Sequence, residues 1–137
     1  MTQKKSTDGA IILQAMVSVA AADGDLHEDE LATIRTVYEQ ITGEMVSTDD
    51  INSTHNSLRS QDLTFTEQLA LERDRLTREL KETILSSAYM VLLADGRVSA
   101  RERDTLMKFA KALKISEVHR GIIFEDIERA MDESEAR

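Results

Sequence analysis

The chain contains no cysteine, no proline and no tryptophan among its 137 residues, and only 4% of them are aromatic. Without cysteine there is no disulfide, no thiolate zinc site and no thiol nucleophile. Without proline the strongest helix breaker is missing, while helix-favouring Ala, Leu, Glu, Arg and Lys are abundant. These features predict an all-α fold with an aliphatic core. The lack of cysteine also fits the cytoplasmic location that we expect.

The charge balance is strongly acidic. Lys and Arg number 17 against 26 Asp and Glu, which gives a formal net charge of −9. Binding to DNA or RNA phosphates needs clustered cations, so we expect no nucleic-acid partner. The apolar run from Ile11 contains Gln14 and Ser18 and ends at Asp23. It is too short and too polar for a signal peptide or a membrane span, so we predict no direct membrane insertion.

The chain contains one sequence motif twice. Ala-Asp-Gly at 22–24 returns at 94–96, and both copies follow an apolar run and precede an amphipathic one. An offset of 72 positions without gaps pairs eight identical residues between positions 12 and 33: Ile12/Ile84, Leu13/Leu85, Val19/Val91, Ala22/Ala94, Asp23/Asp95, Gly24/Gly96, Glu30/Glu102 and Thr33/Thr105. This repeat predicts a duplicated helical unit. Its shared charged residues are one Asp and one Glu, seven positions apart in each copy.

Apolar periodicity predicts most of the helices. They cover 8–22, 28–41, 78–94, 101–113 and 117–131, and further helices start near 48 and 64. The segment 8–22 is apolar around nearly its whole circumference, and the segment 78–94 is apolar from Ile84 to Leu93, which is typical of buried helices. We expect these two to pack centrally as a pseudo-twofold pair, in a bundle of about seven helices. Residues 64–94 fit one long helix or two, and we favour a break near 76–78.

A single domain is predicted over residues 8–131. Its parts are a first repeat over about 8–43, an insert over 44–77, a second repeat over about 78–116 and a last helix over 117–131. We expect residues 1–7 to be disordered and residues 132–137 to form a frayed tail.

The repeated acids have a structural interpretation as helix caps. Ser99 and Glu102 have the spacing of a capping box, in which the serine hydroxyl accepts an N–H at the helix start and the glutamate accepts the serine N–H. In the first copy His27 replaces the serine, and histidine is a weaker cap. Glu30 would therefore contribute more of the capping at the start of that helix.

The alternative interpretation is a cation site. Pairing of the two repeats would bring four carboxylates together, and they would repel one another unless a cation neutralised them. Oxygen ligands suit Ca²⁺, Mg²⁺ or Mn²⁺. An EF-hand is excluded, because its closing Glu comes about eleven positions after its first Asp. The candidate ligands lie in or beside the two Ala-Asp-Gly turns: Asp23, Asp25, Glu30, Asp95 and Glu102.

The doubled pattern resembles the TerB-like family, which is named after a tellurite-resistance protein, and the N-terminal domain of DnaJ-like membrane co-chaperones. The shared features are an apolar helix, Ala-Asp-Gly, an apolar residue two positions after the glycine and a Glu six positions after it. The resemblance implies an all-helical fold of two pseudo-symmetric halves. It also implies a non-enzymatic stress-response module, with protein partners in a membrane-associated complex and divalent-metal binding at Asp23, Glu30, Asp95 and Glu102.

We therefore expect a non-enzymatic interaction module. Two alternatives stay open. One is a small metal-dependent hydrolase that uses the acids on a metal-bound water. The other is a structural helical domain that forms homodimers through the apolar surface of its last helix. The sequence has no phosphate-binding loop, no nucleophile elbow and no dinucleotide fingerprint, which disfavours the enzyme.

Overall fold

Helices form the regular structure of the described residues. The structure is a computed structural model that describes residues 7–22, 24–96 and 98–135, without the side chains of Thr7, Asp95, Ser134 and Glu135. These residues form seven α-helices in chain order: α1 Thr7–Ala20, α2 Glu28–Thr42, α3 Thr48–Ser60, α4 Phe65–Glu72, α5 Arg78–Asp95, α6 Ala100–Ala112 and α7 Glu117–Glu135. A 3₁₀ turn, Arg73–Arg75, follows α4. The predicted all-α fold of about seven helices is confirmed.

Helices α1 and α5 lie at the centre. The most extensive contact between helices joins these two, and α1 also contacts α2, α3, α4 and α6, while α5 also contacts α2, α6 and α7. Consecutive residues Ala15, Met16 and Val17 of α1 are all 0% exposed. Three consecutive residues point about 100° apart around a helix, so neighbours must cover α1 on several sides. The predicted central position of the two apolar helices is confirmed.

Residues 72 positions apart in the two repeats have similar local structure. Helix α2 begins at Glu28 and α6 at Ala100. Gly24 and Gly96 end the preceding segments with positive φ angles of 115° and 80°, which glycine adopts without strain. Burial recurs at the pairs Ile12/Ile84, Leu13/Leu85, Val19/Val91, Ile34/Leu106 and Val37/Phe109. The two units are alike in local structure and burial, and their pseudo-twofold relation in space stays a prediction.

The predicted break near residues 76–78 is confirmed. The 3₁₀ turn ends at Arg75 and α5 begins at Arg78. Thr77 starts the new helix, because its hydroxyl accepts the Leu80 N–H at 3.1 Å. The insert before this break adds to the core: Phe65 of α4 packs edge to face on Phe109 of α6, with ring centroids 5.4 Å apart.

Helix α7 packs against α5 and runs to Glu135, four residues beyond its predicted end at 131. Residues 132–135 contain no glycine or proline, so nothing in their sequence stops the helix. Tyr89 of α5 stacks on Phe124 of α7 with ring centroids 4.2 Å apart, and its hydroxyl donates to the Glu128 carboxylate. Among the described residues, no helix has the length and apolar character that crossing a membrane requires.

The contact between α5 and α7 gives a testable pH dependence. Burial, followed by the hydrogen bond and charge of Glu128, raises the pKa of Tyr89 to about 12. In the unfolded chain a tyrosine ionises at about 10, so the unfolded state loses its proton first as pH rises. The contribution of this contact to stability is therefore complete below pH 10 and declines between pH 10 and about 12. In Tyr89→Phe, the free energy of unfolding should fall less steeply with pH in that window, as measured by urea unfolding.

Glu128→Gln is the matched variant for this prediction. It keeps a hydrogen-bond acceptor and removes the charge, so the pKa of Tyr89 should fall toward its ordinary value in an ultraviolet titration. The same dependence of stability on pH in the wild type and in Tyr89→Phe would contradict the assignment.

Candidate functional site

Two buried glutamates mark the repeated motif. Glu30 and Glu102 are 9% and 6% exposed, and they are the buried charged side chains within the described part of the chain. An isolated buried carboxylate is costly, so such groups normally have hydrogen-bond or charge partners. Both glutamates occupy the third position of their helix, α2 and α6.

Each glutamate accepts a hydrogen bond at the start of its own helix. The His27 N–H donates to Glu30 Oε1 at 2.8 Å, and the Ser99 N–H donates to Glu102 Oε1, also at 2.8 Å. The Ser99 hydroxyl accepts the Glu102 N–H at 3.1 Å in return. The capping box predicted at Ser99 and Glu102 is confirmed, and Glu30 caps α2 with the same backbone hydrogen bond. The positive end of each helix also favours the carboxylate.

The predicted cation ligands are only partly within the described structure. Asp23 lies outside the described residues, as does the side chain of Asp95. Asp25 is exposed, and Glu30 and Glu102 are engaged in their caps. Among the side chains that the structure describes, no group of three or more His, Asp or Glu is placed to hold a metal ion. The described members therefore do not form a donor set by themselves, and a site completed by Asp23 and Asp95 stays a prediction.

Asp25 has a neighbour that the sequence did not suggest. Burial and the nearby Arg59 cation lower the pKa of His55 on α3, and the Asp25 carboxylate opposes this shift. Gly24 of the loop after α1 and His55 of α3 line one cavity, so this loop lies beside α3 although Asp25 and the start of α3 at Thr48 are 23 positions apart. Asp25 interacts there with a titratable side chain of another helix.

An apolar groove lies between α2, α5 and α7. Its volume is about 470 Å³, within the range of about 300–1,000 Å³ that is usual for ligand pockets. We call it the α2–α5–α7 groove. Its main lining residues are Thr33, Thr36 and Val37 of α2, Met90 of α5, and Ala130 and Met131 of α7.

The threonines make this groove less polar than their sequence suggests. The Thr33 hydroxyl donates to the Asp29 carbonyl at 3.0 Å, and the Thr36 hydroxyl donates to the Ala32 carbonyl at 3.1 Å. Because both hydroxyls donate to carbonyls of their own helix, they offer an occupant acceptor oxygens but no donor. Met90 and Met131 add flexible, polarisable side chains that adapt to different partners. Sequence reasoning missed the groove, because it arises where three helices meet.

The capping role predicts a stability loss on truncation. Glu102→Ala leaves the Ser99 N–H without its acceptor, so the free energy of unfolding should fall by about 1–2 kcal/mol. Glu102→Gln should lose less, because the amide oxygen can accept the same hydrogen bond. Urea unfolding monitored by circular dichroism measures both changes.

Glu67→Ala is the matched control for the capping prediction. Glu67 accepts the Thr64 N–H at 2.8 Å in the same type of box, but its side chain is exposed. Water can replace this acceptor, so the loss should be smaller than at Glu102. Equal or greater stability of Glu102→Ala relative to the wild type would contradict the capping role.

Calorimetric titration separates the two interpretations of the motif. If Asp23 and Asp95 complete a cation site, Ca²⁺, Mg²⁺ or Mn²⁺ at millimolar concentration should give saturable heat. The double variant Asp23→Asn/Asp95→Asn should abolish that heat, since each amide lacks the charge of its carboxylate. Absence of binding in the wild type, or unchanged binding in the double variant, would leave capping as the role of the motif.

Comparisons with known proteins complete the description of these sites. Searches with the chain against protein-family models, curated proteins and solved structures found no match. The function is therefore argued from the residues and their geometry.

Proposed function

We propose that the chain is a non-catalytic interaction module whose α2–α5–α7 groove binds a basic, amphipathic helix of a protein partner. The observation that carries this proposal is the apolar groove itself, bounded by two helices of acidic character. The resemblance of the doubled motif to the TerB-like family supports the same class of function, a stress-response module that acts in a membrane-associated complex.

The shape and lining of the groove suit a helix. The lining residues of α2 run from Ala32 to Gln40, a rise of about 12 Å or two helical turns. Apolar anchors at i, i+3/i+4 and i+7 of a partner helix cover such a length, which is the usual mode of helix-in-groove recognition. Methionines on both sides, Met90 and Met131, would adapt to those anchors.

The net charge of the helices that bound the groove favours a basic partner. Helix α2 carries four acidic residues and one arginine. The last eleven residues of α7, Glu125–Glu135, carry six acidic residues and Arg129 as their one cation. Complementary charge steers association and disfavours acidic partners. A partner helix with Lys or Arg beside its apolar stripe therefore fits best.

The capping motif supports this function indirectly. Helix α2 forms one wall of the groove, and Glu30 holds the first turn of α2 through the His27 N–H. A fixed helix start reduces the ordering cost of binding. The repeated motif thus contributes to recognition through the position of α2.

Binding of a designed peptide tests the proposal. The probe is a fluorescent amphipathic helix of Leu and Lys with its leucines at i, i+3, i+4 and i+7. Fluorescence anisotropy should show saturable binding to the wild type, weakened about tenfold or more by Thr33→Lys. That substitution places a cation in the groove, where it repels the basic probe and blocks its apolar face.

The repeat supplies the matched control. Thr105 occupies the position of Thr33 in the second copy, and its hydroxyl donates to the Arg101 carbonyl at 2.9 Å. It lies outside the groove, so Thr105→Lys should leave the binding of the probe unchanged. Equal weakening by the two variants, or equal binding of a sequence-scrambled peptide of the same composition, would contradict the proposal.

Self-association is the other outcome of this test. Val118 and Ile122 on α7 are 76% and 53% exposed, and they lie one turn apart. If light scattering shows a dimer that Thr33→Lys dissociates, a second copy of the chain occupies the groove and the partner-helix proposal is wrong. A dimer that Val118→Ser dissociates while the probe still binds would place self-association on α7 and leave the groove to a partner.

A further inference from the structure

A second cavity has the opposite charge character to the rest of the chain. It measures about 430 Å³ and lies between the 3₁₀ turn, the start of α5 and the turn from α6 to α7. Four cationic side chains line it: Arg73, Arg78, Lys81 and Lys114. We call this cavity the basic cleft. Four cations at one place are unexpected in a chain whose formal net charge is −9.

Three of these cations have no acidic partner in the described structure. Arg78, Lys81 and Lys114 form no ion pair with any residue that the structure describes. Lys81 is half-buried, so part of its side chain is already removed from water. Like charges that face one cavity repel one another, and an anion in the cavity would relieve this repulsion.

Two acidic residues, Asp74 and Glu82, also line the cleft, and they leave a formal excess of two positive charges among its Lys, Arg, Asp and Glu side chains. Glu82 Oε2 lies 2.9 Å from His119 Nε2, so it already has a partner on α7. Asp74 is 97% exposed and reaches Arg73 at 4.0 Å, a distance at which an exposed pair contributes little. The guanidinium of Arg73 is fixed by a hydrogen bond to the Ala112 carbonyl at 2.9 Å.

Lys114 is held in a conformation that lysine rarely adopts. Its φ angle is 58°, and among the described residues it is the one non-glycine residue with a positive φ. Lys114 follows the last turn of α6, and the Ile115 N–H next to it donates to the Ala110 carbonyl at 3.0 Å. This hydrogen bond ends the helix, and glycine is the usual residue at the position that Lys114 occupies. A lysine here costs stability relative to glycine, and strain of this kind concentrates at binding sites. The strained backbone places the Lys114 side chain at the cleft.

Two helices also begin at the cleft. Arg78 is the first residue of α5, and Ser116 precedes α7 and accepts the His119 N–H on its hydroxyl at 3.1 Å. The positive ends of two helix dipoles therefore add to the four cationic side chains. The half-buried Ile115 supplies an apolar wall beside them, next to the buried Leu113.

We propose that the basic cleft binds a small phosphorylated molecule. Arginine and lysine together suit phosphate, because guanidinium groups bind two of its oxygens and ammonium groups add point charge. The volume of about 430 Å³ suits a small molecule. The apolar wall would contact the organic part of such a ligand. This site is separate from the α2–α5–α7 groove, shares no lining residue with it and does not depend on its function.

Isothermal titration calorimetry with pyrophosphate and with ADP tests the proposal. At physiological ionic strength the wild type should bind at least one of these probes saturably, and adenosine, which has no phosphate, should bind more weakly than ADP. Lys114→Gly should weaken binding about tenfold or more. The same variant should unfold at an equal or higher urea concentration, because glycine relieves the strained backbone. A loss of binding without a loss of stability separates this role from a structural one.

Lys108→Ala is the charge-matched control. Lys108 lies on α6, pairs with Asp104 at 3.2 Å and does not line the cleft. It should bind the probes as the wild type does. The proposal is overturned if neither probe binds saturably at about 1 mM. It is equally overturned if Lys108→Ala and Lys114→Gly weaken binding alike, because that result indicates diffuse attraction between charges.

Discussion

The packing of α1 against α5 is the contact on which the rest of the structure depends. Helix α1 is apolar on nearly every side and α5 is apolar from Ile84 to Leu93, so neither is stable in water unless other helices pack over these surfaces. Each fully buried aliphatic side chain contributes about 1.5–3 kcal/mol relative to exposure. The other helices cover this central pair: α2 contacts both members, α3 and α4 lie on α1, and α7 lies on α5. The groove and the basic cleft both form where these outer helices meet α5.

The repeated Asp-Gly…Glu motif joins each central helix to the helix that follows it, α1 to α2 and α5 to α6. Gly24 and Gly96 reverse the chain after the two central helices, and Glu30 and Glu102 fix the first turns of α2 and α6 through backbone hydrogen bonds. This role restricts where the glutamate can stand, because its carboxylate must accept the N–H of the residue three positions earlier. These hydrogen bonds give the two glutamates of the motif a structural role as helix caps.

Charge is distributed unevenly over the outer helices. The acidic residues of α2 and α7 lie on the helices that bound an apolar groove, whereas the cations of the 3₁₀ turn, α5 and the α6–α7 turn surround a polar cleft. The two sites would therefore attract ligands of opposite charge, because electrostatic steering follows the local field of the protein. The formal net charge of −9 by itself does not indicate a local basic cleft. Lys114, one of these cations, has a positive φ angle of 58°.

Several features could be predicted from local sequence patterns: the helices, the break before Arg78, the central place of α1 and α5, and the capping box at Ser99 and Glu102. These features depend on local periodicity and on residues three or four positions apart, which the sequence displays directly. The groove and the basic cleft could not be predicted in this way, because each forms from segments that are distant in the chain. Thr33 and Met131 are 98 positions apart in the chain yet line one groove, and Arg73 and Lys114 approach one cleft only because the 3₁₀ turn packs against the end of α6. Contacts between residues far apart in the chain leave no periodic signal, so packing alone brings these side chains together.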